Sequence, residues 1–406
     1  MRFALISLLL IFVSCGSDQS RTSGIPVIPV NNTISTGITP GAAQLPLYVP
    51  KLEGLRCGVV VNQSSVIEEV HLIDTLRQLE INVVKIFVPE HGFRGEADAG
   101  AEIRDGVDVE TGLPIRSLYG RNKKPSPEDL RNIDIMLFDL QDVGVRCYTY
   151  ASTLHYVMEA CAEQSINLIV LDRPNPNAHY VDGPVLEEEY RSFIGMHPVP
   201  FVYGMTIGEY AKMIKGEDWI KEAKNLDLTV IPCHNYDHTK PYSPKIPPSP
   251  NLRTPQAILL YPSLVFFEGT IVSVGRGTPH PFEIYGHPDF QEMSYVFTPE
   301  SMKGAAHPKL EGIRCHGEYL GDIDPHIMRS WSAIQLSYLM EAYELSDNTE
   351  DFFLPNLFFD KLAGSDKLRK MIISGRSEEE IRNSWENELE AFRDVRKNYL
   401  LYDDQL

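Results

Sequence analysis

Three apolar runs in this 406-residue chain each end in a cluster of ionisable side chains. VPEHGFRG supplies Glu90, His91 and Arg94; DLQDVGVRCYTY supplies Asp139, Gln141, Asp142, Arg146, Tyr148 and Tyr150; LDRPNP supplies Asp172, Arg173 and Asn175. A carboxyl emerging from a dry strand end has its pKa raised by desolvation and suits a general acid, the role this pattern suggests for Glu90. His91 suits a base, a ligand or a hydrogen-bond donor. Further along, SPN supplies Asn251, and FFEGTIVSVGRGTPHPFEIYGHP sets Glu268, Arg276 and Glu283 among glycines that allow close backbone approach. Neither a GxSxG elbow nor an HExxH pair is present, which sets serine-nucleophile and zincin chemistry aside. A metal-dependent hydrolase would have to use His91, Asp139, Asp142 and Asp172 and lacks a second well-placed histidine, so no metal and no cofactor are expected. Any one of these residues could be a helix cap or half of an internal ion pair. Three clusters on neighbouring strands point instead to a site.

The elements that must position them alternate. Short β-branched runs at 56–62, 82–88, 133–140, 167–172 and 226–232 read as buried strands. Between them, apolar residues at helical spacing read as helices after residue 66, over 151–164 and over 206–215, the last capped by Thr206 with Glu209 three residues on. Continuous apolar strands separated by helices imply a parallel sheet covered on both faces. The expected fold is therefore α/β: a Rossmann-like, doubly wound catalytic domain over 51–262. In such a sheet, ligands bind at the carboxyl ends of the strands, where the three clusters fall. VVVNQSS stands where a GxGxxG would follow the first strand, which argues against ordinary dinucleotide binding. The proline-rich run 240–251 marks a boundary. A smaller α+β domain over 263–406 is expected, with strand-like pieces near 270–274, 294–298 and 313–320 and helices over 329–344, 365–374 and 377–399.

Arg2, the apolar run 3–13 and Cys15 form a secretory signal with a probable lipobox, and residues 16–50, rich in Ser, Thr, Gly, Pro and Asn, read as a flexible tether. The expected location is the bacterial cell envelope, as an exported lipoprotein in periplasm or outer membrane, with membrane contact only through that anchor. After Cys15 an odd number of cysteines remains, with no CxxC, and several lie in apolar segments. A formal net charge of −19 argues against nucleic acid as the main partner.

Taken together, VPEHGFRG, DLQDVGVRCYTY, LDRPNP, SPN and FEGT…GRGT…PF resemble the NamZ-type exo-β-N-acetylmuramidases, long known only as a domain of unknown function. The resemblance runs from about residue 50 to the C-terminus. It implies an active site between a Rossmann-like domain and a smaller C-terminal one, and release of N-acetylmuramic acid from the non-reducing end of peptidoglycan fragments. It assigns the catalytic acid to Glu90 and makes Asp142, Arg146, Tyr148, Asp172, Arg173 and Asn175 pocket residues. The chain departs from its relatives after LDRPNP, where NAHYVDGP brings in Asn177, Ala178 and the acidic Asp182. Glycoside cleavage needs a proton for the leaving oxygen and a carboxylate near the positive sugar ring, and Asp142 or Glu268 is the candidate for the latter. A substrate 2-acetamido group is the alternative nucleophile. The lactyl carboxylate of the sugar calls for an arginine fork, from Arg146, Arg173 or Arg276. A non-catalytic lipoprotein that captures muropeptides would share the same two-domain cleft.

Overall fold

The computed structural model describes residues 37–94 and 104–404. Its central sheet has seven strands: β1 (Cys57–Val61), β2 (Val83–Val88), β3 (Gly106–Val107), β4 (Pro114–Ser117), β5 (Ile135–Asp139), β6 (Asn167–Leu171) and β7 (Leu228–Ile231). Their spatial order is β3-β4-β2-β1-β5-β6-β7, and every pairing is parallel except that of the short edge strand β3 with β4. Register sets Val60 beside Phe87 and Phe138, and Phe138 beside Val170. These residues face α2 (Tyr150–Gln164) and α3 (Ile207–Gly216). Val59, Val61, Ile86, Leu137 and Ile169 face the opposite side, against Leu72, Ile73 and Leu76 of α1 (Leu72–Gln78). Strands buried on both faces must be apolar throughout, as the sequence pattern required. Thr206 caps α3 in a reciprocal box with Glu209, as expected.

The first layer begins earlier than the tether assignment of 16–50 allowed. Residues 37–50 pack onto the sheet: Thr39 bridges His234, Gly41 N donates to Asp172 O at 2.8 Å, and the buried Tyr48 hydroxyl donates to Ala42 O at 2.8 Å. Any side chain at Gly41 would collide with the Ile231 carbonyl. A Pro/Gly-rich stretch without period looks like a linker in sequence, because its packing partners lie far along the chain. Residues 1–36, which hold the signal, Cys15 and the rest of the tether, lie outside the described residues.

Beyond the prolines, α4 (Pro255–Leu264) runs into a tight 3-10 turn, Val265–Gly269, that carries Glu268. Strands β8 (Ile284–His287), β9 (Tyr295–Phe297) and β10 (Cys315–Tyr319) form a small antiparallel sheet with β10 in the centre. The run 270–274, expected as a strand, makes only isolated bridges through Thr270 and Ser273. The long helical patterns break into shorter pieces, Pro325–Ser330 with Ser337–Glu344, and Glu378–Asn383 with Glu386–Arg396. One apolar core nevertheless joins both halves, with Phe201 stacked on Phe266 at 4.3 Å and Phe359 beside them. All five described cysteines are free and buried. No helix among the described residues is long and apolar enough to cross a membrane.

The C-terminal tail is fastened electrostatically. His238 meets Glu209 at 2.9 Å and Asp404 at 3.2 Å. Burial alone would push this imidazole down; the hydrogen bonds to Asp404 and Glu209 outweigh it and hold the pKa at about 9, against 6.5. The folded state therefore binds this proton more tightly than the unfolded chain. That contribution is complete below pH 6.5 and is lost as pH rises through 9. Melting temperature measured from pH 6 to 10 is expected to decline over this window, and His238→Gln to flatten that part of the profile.

Candidate active site

A cavity of about 340 Å³ opens where the ends of β2 and β5 meet the turn after α4. Glu90 reaches it directly from β2, two residues past Val88. Its Oε2 accepts a 2.7 Å hydrogen bond from Thr149 Oγ1 at the start of α2, and the Tyr119 hydroxyl stands near this carboxyl. Burial, followed by the nearby Glu90 charge, pushes the Tyr119 hydroxyl pKa up, so it remains a donor. His91, in the left-handed region with φ 70°, lines the same cavity.

The second half of the chain closes the other wall. Glu268 and Arg276 line it as a pair, with Nε–Oε1 at 2.7 Å and Nη2–Oε2 at 3.4 Å. Burial raises the Glu268 pKa, but the Arg276 charge and hydrogen bond, helped by Lys309, outweigh it and leave the carboxyl below its ordinary value. Lys309 sits behind, its ammonium held by the carbonyls of Phe267 at 2.8 Å and Val272 at 3.0 Å. In the same cavity wall, Tyr148 packs edge-on to Tyr150 (4.8 Å) and to Tyr261 (5.9 Å), and Phe282 lies 5.0 Å under the Arg276 guanidinium. Flat aromatic faces beside a few aimed polar groups suit the apolar face and hydroxyls of a sugar ring.

Most of the other expected site residues turn inward. Asp142 is fully enclosed: its Oδ2 accepts from Gly144 N at 2.7 Å and from the Tyr203 hydroxyl, and burial pushes its pKa up to about 6. It is absent from the cavity wall, so its assignment as the second carboxylate is corrected. Asp139 pairs with Arg173 at 2.5 and 2.8 Å, both fully buried. Gln141 donates to Asp142 O and Pro174 O. Asp172 accepts from Arg173 N, Thr206 Oγ1, Gly208 N and the Tyr402 hydroxyl, and burial pushes its pKa up to about 7. Asn175 Nδ2 donates to Met205 O and Asn251 Nδ2 to Gly304 O, each at 2.9 Å. Arg94 points outward to Asp108 and Glu110. Asp182 accepts from Ile334 N, Arg382 and Trp385, an anchor between the two halves. His91, Asp139, Asp142 and Asp172 do not converge, and among the described residues no three His, Cys, Asp or Glu side chains form a metal cluster.

Arg146 is the sharpest correction. Its guanidinium donates to four carbonyls, Pro184 at 2.7 Å, Val199 at 2.8 Å, Leu362 at 3.0 Å and Ala363 at 2.6 Å. Gly364, at φ 83°, leaves room for it: a Cβ there would stand 2.5 Å from Nη2. Four main-chain acceptors from distant segments occupy both Nη groups, while the buried Nε has no hydrogen-bond partner among the described residues, and Arg146 is absent from the cavity wall.

Family models described as the N-terminal and C-terminal parts of exo-β-N-acetylmuramidase NamZ match residues 57–256 and 259–402. The chain belongs to this family. It is 39% identical to the peptidoglycan β-N-acetylmuramidase NamZ of Bacillus subtilis (strain 168) over 91% of either chain. Two crystal structures of DUF1343 family proteins from Bacteroides fragilis NCTC 9343 share the fold. One, at 44% identity, superposes with TM-score 0.84 over 91% of this chain and 100% of the other; the second, at 30%, gives 0.77 over 90% and 99%. As a NamZ-family member the chain is a glycoside hydrolase, and two carboxyls, Glu90 and Glu268, line the cavity.

Several wall residues escaped the sequence reading. Tyr119 lies in a loop without period, Thr149 hides inside CYTY as an ordinary cap type, and Tyr261 sits among helix apolars. Only Thr149, wedged between the motif tyrosines, carried a signal that could have been followed. Replacing Arg146 by Met is expected to cost about 3–5 kcal/mol of stability by stranding buried acceptors. Urea unfolding checks this. A raised KM with unchanged stability would instead return Arg146 to the substrate.

Proposed function

We propose that the protein is an exo-acting β-N-acetylmuramidase that removes N-acetylmuramic acid from the non-reducing end of peptidoglycan fragments, with Glu90 as general acid. The observation that supports this most is the pairing of two unlike carboxyls in one cavity. Glu268 is held ionised by Arg276, and Glu90 accepts a hydrogen bond from Thr149 with the Tyr119 hydroxyl nearby. In this reading Glu90 gives its proton to the departing glycosidic oxygen as the C1–O bond breaks. The Glu268 carboxylate stabilises the positive charge that develops on the ring; a water then adds to C1 and gives up a proton that restores the Glu90 carboxyl. The tyrosine wall holds the sugar and excludes water from one face.

Of the three arginines that could take the lactyl carboxylate, Arg276 lines the cavity, Arg146 is consumed by carbonyls and Arg173 by Asp139. Arg276 also uses only part of its fork on Glu268, so a second carboxylate fits alongside. A chromogenic N-acetylmuramide tests both assignments. Purified protein is expected to release free sugar, Glu90→Gln to lower kcat by roughly 10²–10⁴-fold with little change in KM, and Arg276→Gln to raise KM roughly tenfold or more. No release by the wild type, with saccharide still bound, would leave a capture protein instead.

We also propose export and lipid attachment at Cys15, which would place the enzyme in the cell envelope beside its polymer. Supporting this are the single basic residue, the apolar run and the cysteine at its end. Detergent-phase partitioning of the full chain expressed in a bacterium is expected to disappear with Cys15→Ser; equal partitioning of both would sink the idea.

A further inference from the structure

A second depression, of about 410 Å³, borders the catalytic cavity across a single turn. Residues 192–195 form a tight hairpin, with Ser192 and Gly195 exchanging both main-chain hydrogen bonds at 2.9 and 3.0 Å. At its tip, Ile194 faces the catalytic cavity while its neighbour Phe193 faces the depression. The two spaces also meet through aromatic contact. Tyr119, which lines the cavity with Glu90, lies 5.8 Å from the Phe193 ring, and Phe193 is stacked on Tyr156 at 6.2 Å with an 18° interplanar angle. A sugar ring spans about this distance, so the aromatic surface continues from the acid outward for one further residue of a glycan.

Cations accompany that surface. Lys123 Nζ stands 4.6 Å from the Phe193 ring centroid, and Arg191, partly exposed, makes only a 3.6 Å contact with the exposed Glu188. The acidic group on the wall is already committed, Glu159 to Lys124 at 2.7 Å and to Lys221 N. His155 is kept neutral by burial, its pKa pushed down to about 4.

We propose that this depression is the leaving-group half of the substrate site. It takes the saccharide beyond the scissile bond, with the first ring on Phe193 and the lactyl carboxylate of the muramic residue that follows it between Lys123 and Arg191. The inference rests on the muramidase reading above and extends it from the released sugar to the portion left behind. Such a surface makes longer fragments better substrates than small glycosides, because binding energy from remote parts of the substrate positions the reacting bond.

The experiment compares kcat/KM on three substrates: a chromogenic N-acetylmuramide, the same glycoside carrying a peptide on its lactyl group, and a peptide-free muro-tetrasaccharide. For Phe193→Ala and for Lys123→Ala/Arg191→Ala, the tetrasaccharide value is expected to fall roughly tenfold or more relative to the chromogenic value. An unchanged ratio overturns the proposal, and so does an effect confined to the peptide-bearing glycoside. Arg253→Ala, on the opposite flank beyond Ser249, is the control; a larger effect there also overturns it. Calorimetry of Glu90→Gln with the tetrasaccharide reads the groove without turnover, and weaker binding in the added Phe193→Ala background is the expected result. Failure of the wild type to cleave any substrate would strike the muramidase reading, while this binding difference would still decide the groove.

Discussion

A charge taken out of water at the carboxyl edge of the sheet must find a partner inside the protein, and how each one is matched separates scaffold from site. Asp139 closes on Arg173, Asp172 collects four donors, and Arg146 spends itself on four carbonyls. These groups hold the loops after β5 and β6 rigid and bind the C-terminal half against them. With the edge fixed in this way, Glu90 and the Glu268–Arg276 pair stay at the surface of a cavity. Rigid supports of this kind are what a site needs to hold reacting groups within fractions of an ångström.

The contribution of the second half follows from the same rule. Arg276 and Lys309 bring positive charge behind a glutamate that burial would otherwise neutralise, so the two cavity carboxyls have different surroundings within one fold. The second half also supplies Tyr261, Phe282 and Phe358 to the wall, which explains why the cavity is not a property of the Rossmann-like half alone.

Strand positions and the parallel character of the sheet were legible because buried parallel strands leave an unambiguous apolar signature. The site motifs were legible for a different reason: Glu90, Tyr148, Glu268 and Arg276 stand out as charged or aromatic residues at strand ends and glycine-rich turns. Orientation was not legible. Asp142 and Arg146 lie in the same motif as Tyr148, yet they face inward while Tyr148 faces the cavity. An irregular segment has no fixed period from which a side chain's direction could be read. The strand expected at 270–274 failed for a related reason, since its main-chain partners, Phe352 and Gly286, come from two different elements.

The amino-acid sequence by itself determined the α/β class, the family and the short stretches from which the cavity is built, because each is a local pattern of residue type and spacing. Only the tertiary structure decided which charged members of those stretches neutralise one another and which remain to meet a ligand. It also drew residues 37–50 into the body and set Phe193 beside Tyr119. These outcomes depend on contacts between residues far apart in the chain, where partner, distance and burial together set the electrostatic balance.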